Sequence, residues 1–269
     1  MPNFTSCTEA APRGQGAKSR RPSSHPFMVA TAVATTGLLA GCGAGPLSAL
    51  DPAGPGAAGI AQVWWVMFWF SAAVVTGMTG LALYATLRNP DRRLRIAPRG
   101  LLIVGGLVFP ILVLSALLVY GVRAGYSLLP LATARPVFSV DVTAHQWWWQ
   151  VSYPDAAGGM RHAANEIHIP AGRPVDIRVR SADVIHGFWI PRLGGKIDAI
   201  PGRVNTIRLE ADKPGLYQGQ CAEFCGLGHA HMKLVVQAHD EAGLQGKLAG
   251  LSTTPLASPT TDGTKGVAP

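Results

Sequence analysis

Gly219-Gln220-Cys221-Ala222-Glu223-Phe224-Cys225-Gly226-Leu227-Gly228-His229-Ala230-His231-Met232 gathers two of the chain's four cysteines, two histidines and a methionine into one short stretch. The spacing is regular: four residues from Cys221 to Cys225, four more to His229, then three to Met232. A cysteine pair in an exported domain suits a disulfide, but histidine and methionine at these offsets point elsewhere. Thiolate, imidazole and thioether are soft to borderline donors, and that set favours copper over zinc or calcium. A blue-copper site uses one cysteine, two histidines and a weak axial methionine. Two thiolates can each bridge a pair of metals, so this stretch predicts a two-copper centre. It needs a further histidine. His186, in Ser181-Ala182-Asp183-Val184-Ile185-His186-Gly187-Phe188, follows a strand and precedes a glycine, which suits a ligand position. His145, His162, His168, His231 and His239 compete with it on composition alone.

Working outward, the residues around this stretch read as strands. From Pro136 the chain breaks into short alternating segments divided by glycine and proline. Strands are expected over residues 137–143, 147–152, 165–169, 175–180, 204–209, 216–220 and 232–238. In the fourth, Val175, Ile177 and Val179 alternate with Asp176, Arg178 and Arg180, a period of two with one buried face. Seven short strands in about 100 residues predict a β-sandwich over residues 130–240. Residues 241–269 are expected to form a disordered tail, because 250–269 are rich in Ser, Thr, Pro and Gly with almost no large apolar group.

Upstream lie two uncharged runs. Ala61 to Leu87 opens with Trp64, Trp65, Phe68, Trp69 and Phe70, and Leu101 to Val122 follows after an arginine-rich turn. Each exceeds the roughly 20 residues that span a bilayer, and tryptophans at one end suit an interfacial anchor. Residues 61–122 thus read as a transmembrane helical hairpin. Arg88, Arg92, Arg93, Arg95 and Arg99 hold its turn on the cytoplasmic side, so both ends face the periplasm. The same side follows from residues 1–41, where basic residues precede a short apolar run, as in a signal peptide. That run ends in Leu39-Ala40-Gly41-Cys42, which resembles the lipobox of bacterial lipoproteins. Cys42 would carry the lipid, Cys7 would leave with the signal, and residues 42–60 would be a linker. The expected location is the bacterial inner membrane.

The charge agrees with this arrangement. The formal net charge is +8 in 269 residues, which invites a polyanionic partner. Residues 1–41 contribute +3 and residues 88–99 contribute +4, while the largest part of the chain, 100–269, contributes only +2. Charged residues make up 14% of the chain, against about 25% in an ordinary soluble domain. The basic excess therefore reports topology, and nucleic-acid binding, which needs many cations on one folded face, is excluded.

Four motifs in order make the sequence similar to subunit II of the haem–copper cytochrome c oxidases. They are Ala144-His145-Gln146-Trp147-Trp148-Trp149, then Asp183-Val184-Ile185-His186, then Lys196-Ile197-Asp198-Ala199-Ile200-Pro201-Gly202-Arg203, and lastly the Cys221 to Met232 loop. The resemblance runs from about Ala61 to Ala238 and implies a two-helix hairpin followed by a cupredoxin-like domain holding the binuclear CuA centre. By resemblance, Cys221 and Cys225 bridge two coppers, and His186 and His229 each bind one. Met232 and the backbone carbonyl of Glu223 are then the weak axial ligands. The Glu223 carboxylate would reach a magnesium or manganese shared with subunit I, and Trp147 would admit electrons from cytochrome c. Subunit III is a further implied partner. The family's function is to pass those electrons to the haems of subunit I, where oxygen is reduced to water with proton translocation.

Two family traits are missing. Many relatives have a glutamate seven residues before the proline of the second helix, whereas here that position is Ile103, counted from Pro110. No C-x-x-C-H motif occurs either, which excludes a fused haem c domain. A quinol oxidase subunit would lack the copper ligands. A copper-delivery or sensing protein would favour exchangeable ligands. The principal alternative is a stand-alone, membrane-tethered CuA cupredoxin acting as an electron carrier.

Overall fold

The computed structural model describes residues 45–89, 97–126, 128–131, 136–155 and 158–256. The expected signal segment, Cys42, Arg92, Arg93, Arg95 and residues 257–269 lie outside the described residues.

Helix α1, Pro55–Leu87, has 33 residues, or about 50 Å at 1.5 Å per residue. Helix α2, Pro98–Ile103, runs through a π-helical segment, Val104–Val108, into helix α3, Phe109–Tyr126. Among the described residues, two helical runs, Pro55–Leu87 and Arg99–Tyr126, are long and apolar enough to cross a membrane. The π segment has a local cause. Pro110 has no N–H, and its ring would strike the carbonyl four residues back in a regular α-helix. The widened turn lets the Phe109 N–H reach the Val104 carbonyl instead.

The two apolar helices extend beyond the expected 61–122. Helix α1 starts at Pro55, inside the expected linker, because proline presets the first helical residue and the first turns dock on the β-domain. The Ala57 N–H donates to the Leu193 carbonyl at 3.2 Å, and Ala57 and Ala61 are buried. Just ahead of the helix, Arg192 pairs with Asp51 at 3.1 Å.

Among the described residues, ten strands form two five-stranded sheets. Strands β1 (Phe138–His145), β2 (Trp148–Pro154), β3 (Met160–Ala164), β5 (Val175–Ser181) and β8 (Asn205–Leu209) stand in the order β3-β2-β1-β5-β8. Strands β4 (Glu166–Pro170), β6 (His186–Trp189), β7 (Lys196–Ala199), β9 (Gly215–Cys221) and β10 (Lys233–His239) stand in the order β4-β10-β9-β6-β7. Pairing is antiparallel except for β1 with β5 and β10 with β4. The inner faces bring Val140, Val142, Trp149, Ile167, Ile177, Phe188 and Leu234 into one core. On the outer face of the first sheet the charges pair across strands. Arg178 stands opposite Asp141 at 2.6 Å, and Arg208 stands opposite Asp176 at 2.7 Å.

Three strands, β3, β6 and β7, were not anticipated. Each has only four or five residues, too short for alternation to register. The tail also differs from expectation, since Glu241–Ala249 forms helix α4. Asp240 caps it by accepting from the Gly243 N–H, and Leu244 is buried. Beyond it, the Ser252 carbonyl accepts from the His162 N–H at 2.8 Å.

Next to α4, His168 on β4 and His239 at the end of β10 approach to 3.0 Å between ring nitrogens. Burial holds both imidazoles below their ordinary value, reinforced by Lys247 and opposed by Glu166. The unfolded chain then binds protons that the folded one refuses. Stability should be complete above about pH 6.5 and be lost as the pH falls through the lower folded values. Denaturant midpoints on the two sides of that value measure the decline, and His168→Gln should flatten it.

Candidate metal centre

Three loops meet at one end of the sandwich: β1–β2, β5–β6 and β9–β10. Strand β6 lies beside β9 with Phe188 opposite Cys221, which sets His186 and Cys221 at neighbouring strand ends. The β9–β10 loop is closed at its base by the Cys221 N–H donating to the Met232 carbonyl at 2.9 Å. Its start is tied to β6 by the Ala222 N–H donating to Gly187 O at 2.8 Å. His186 opens strand β6; it does not merely follow β5 as the sequence suggested.

Six donor groups converge. Cys221 and Cys225 are buried free thiols with their sulfurs 3.8 Å apart. His186 Nδ1 lies 3.9 Å from Cys221 Sγ and 3.2 Å from Met232 Sδ. His229 Nδ1 lies 3.7 Å from Cys225 Sγ, and Met232 Sδ lies 3.8 Å from the same sulfur. The Glu223 carbonyl is 3.2 Å from Cys221 Sγ. His186, Cys221 and Cys225 lie close enough to hold a metal ion together, and all three are buried, as is Met232. The Glu223 carboxylate is turned away, onto Lys196.

Four of the five rival histidines are occupied elsewhere. His145 stacks on Trp148 with ring centroids 4.7 Å apart. His162 bonds Ser152 at 3.0 Å, His168 faces His239, and His231 is exposed on the short 3-10 turn His229–His231.

Asp183 had no assigned role in the sequence, although it sits three residues before His186 in a recognised motif. Its Oδ1 accepts from His186 Nε2 at 2.8 Å. A carboxylate can only accept, so Nε2 carries the proton and Nδ1 presents its lone pair toward the sulfurs. The other oxygen, Oδ2, accepts from the Gln146 N–H at 2.6 Å. Burial works against the Asp183 charge, but the His186 ring and the Gln146 and Val184 amides outweigh it and hold the carboxyl below its usual range.

The two thiols differ. Burial would raise Cys221, but His186 and nearby backbone groups more than offset that and lower it. Burial and the adjacent Cys221 thiolate push Cys225 up. The pair therefore gives up one proton readily, while losing the second calls for a nearby cation. That behaviour fits a metal-binding dithiol.

Trp147 was expected to begin a strand. With Gln146 it forms instead the two-residue turn between β1 and β2. Its Nε1–H donates to the Cys225 carbonyl at 3.1 Å, and Gln146 Nε2 donates to the same oxygen at 2.8 Å. The Trp147 ring lies over Gly228, where any Cβ would collide with it. Gly187 is equally constrained, since a Cβ there would sit 2.8 Å from Glu223 N and 2.9 Å from Ala222 C. Both contacts are backbone and cannot swing away. Gly187→Ala should cost about 1–3 kcal/mol and weaken metal binding, measured by thermal melts and metal titration of the same preparation.

Residues 157–239 match the family model of the periplasmic domain of cytochrome c oxidase subunit II. Cytochrome c oxidase subunit 2 of Alkalihalophilus pseudofirmus is 45% identical over 104 residues, which cover 38% of this chain and 30% of that protein. The subunit 2 of Apis florea is 33% identical over 120 residues, covering 39% of this chain and 53% of its own length. The chain thus spans between 30% and 53% of the length of these curated relatives. Among solved structures, the periplasmic domain of cytochrome oxidase subunit II of Bradyrhizobium japonicum is 30% identical. It covers 44% of this chain and 96% of that one, with a TM-score of 0.41.

Proposed function

We propose, for a chain whose residues 157–239 match the family model of the periplasmic domain of cytochrome c oxidase subunit II, that it is the electron inlet of a haem–copper oxidase. The observation carrying this reading is the convergence of six donors, two of them buried free thiols 3.8 Å apart. Two cysteines and two histidines alone would satisfy a tetrahedral zinc. Here a thioether and a carbonyl crowd the same sulfurs, and the two imidazoles lean on different cysteines. That surplus favours a pair of copper ions, bridged by Cys221 and Cys225. His186 with Met232 would complete one coordination sphere, and His229 with the Glu223 carbonyl the other.

When bound, such a pair supplies a one-electron acceptor whose charge is spread over two metals and two sulfurs. The protein's part is to hold the donors still and dry. Trp149 and Phe188, both buried, wall the His186 side, with ring centroids 5.5 Å apart. Asp183 fixes the His186 ring, and Gln146 and Trp147 anchor the Cys225 carbonyl. Ligands held on strand ends and short loops undergo little rearrangement. The Trp147 indole is half-exposed and one hydrogen bond from the backbone of a bridging cysteine, which suits it to receive an electron from cytochrome c. The haems of a partner subunit I would carry out oxygen reduction and proton translocation. Glu223, now paired with Lys196, would offer its carboxylate to a magnesium or manganese at that subunit's face. The two apolar helices anchor the chain, with the copper domain on the periplasmic side of a bacterial inner membrane and Cys42 lipidated after signal removal.

Trp147→Ala tests the inlet. Reduction by cytochrome c should slow about tenfold or more, the equivalent of ~1.4 kcal/mol of barrier, with copper content unchanged. Loss of copper in this variant would instead make Trp147 a packing residue, and unchanged rates would contradict the role.

A further inference from the structure

We propose that His168 and His239 form a second metal site, selective for copper(II), beneath helix α4 at the end of the sandwich opposite the candidate two-metal centre. It stands apart from the electron-inlet reading and uses none of that centre's donors.

His239 closes strand β10, whose first residue, Lys233, follows the donor Met232. Seven residues at about 3.3 Å each put the two places roughly 20 Å apart. On the neighbouring strand β4, Ile167 and Ile169 take the core side, so His168 projects onto the outer face that His239 shares. Its Nδ1 lies 3.0 Å from His239 Nε2. The His168 backbone is fixed by its N–H, which donates to the Tyr153 hydroxyl at 2.6 Å. On the far side of its ring, Glu166 Oε1 stands 3.8 Å from Nε2. That carboxylate favours the proton on Nε2 and leaves the Nδ1 lone pair directed at His239, the orientation carboxylates impose on metal-bound histidines. His168 is buried, whereas His239 is partly open to water. An arriving ion thus meets one rigid ligand and one accessible, movable ligand.

The spacing selects the ion. Two metal–nitrogen bonds of about 2.0–2.1 Å whose ends are 3.0 Å apart meet at roughly a right angle. Tetrahedral zinc needs a wider angle. Tetragonal coordination by nitrogen and oxygen belongs to copper(II) or nickel(II), and copper(II) binds the more tightly of the two. In the metal-free chain the two rings share a hydrogen bond. The ion takes its place when His239 swings off the line between the rings and moves its proton from Nε2 to Nδ1. Charge favours a cation here, because Glu166 and Asp240 act on the pair against the one ammonium of Lys247. Glu241, at the start of the same helix, is paired with Arg173 and adds no net charge. Water supplies the remaining positions, so this site binds more weakly than a six-donor centre and fills after it.

The test is electron paramagnetic resonance of the full chain in detergent, its first centre already filled, as copper(II) is added beyond that amount. One further equivalent should appear as a mononuclear axial signal split by two nitrogens, and an about tenfold excess of zinc(II) should not remove it. His239→Gln should weaken this uptake by more than about tenfold, since losing even an outer partner of a metal ligand costs about that much. The optical spectrum of the first centre should stay intact in that variant. His231→Gln, at an exposed histidine, should leave the added signal unchanged. A signal that persists in His239→Gln, disappears in His231→Gln or yields to zinc overturns the proposal, as does the absence of any further copper. A chain whose first centre never fills contradicts the electron-inlet reading instead. The second site is still identified in that chain by its two-nitrogen splitting, because it needs neither cysteine.

Discussion

Replacing either Cys221 or Cys225 by serine is expected to abolish the proposed two-metal site and, with it, the proposed electron transfer through the chain. A serine hydroxyl neither ionises at neutral pH nor bridges soft metals. The remaining cysteine would lose its thiol partner, now 3.8 Å away, and could hold at most a single ion. Loss of an outer hydrogen-bonding partner typically costs about 10–100-fold in metal affinity, and loss of a bridging ligand should exceed that. Copper per chain, counted by elemental analysis, should fall from two to one or none. The two variants should also differ in their thiol chemistry. Cys221 is the more acidic of the pair, so Cys225→Ser should retain the thiol more reactive toward alkylation at neutral pH. Wild-type rates in either variant would be incompatible with the proposed site.

The second large effect is expected at Trp149. Its side chain is fully buried, edge-on to Phe188 and 6.0 Å from the His186 ring centroid. Trp149→Ala should cost about 3–5 kcal/mol of stability, the range for emptying a large aromatic site, seen as a lowered denaturation midpoint. The cavity would open beside His186, so metal affinity should fall as well. The Trp149 indole N–H has no hydrogen-bond partner among the described residues, so Trp149→Phe should cost much less. A similar loss for both variants would show that the indole contributes more than packed volume.

Much of this was legible in the residues. The Cys221 to Met232 spacing, the two uncharged runs and the alternation in β5 each follow from one local rule, and the structure places them accordingly. What escaped reading depends on contacts distant in sequence. Strand β6 is four residues long and exists because it pairs with β9 on one side and β7 on the other. The start of α1 at Pro55 is fixed by a bond to Leu193, far along the chain. Helix α4 forms in a segment of low apolar content, because Leu244 finds a covered place against the sheet and Asp240 supplies a cap. Within the candidate metal centre, the donor types were visible but their supports were not. Asp183 and Gln146 acquire roles only once three loops meet, and Trp147 differs from its tryptophan neighbours by falling in the hairpin turn.

Electron paramagnetic resonance on the purified full chain, with copper counted in the same sample, tests the central assignment most directly. Two coppers per chain sharing a single unpaired electron, with the signal lost in Cys221→Ser, is the predicted result. One copper with a mononuclear signal, or a Cys221–Cys225 disulfide with no copper, would contradict it.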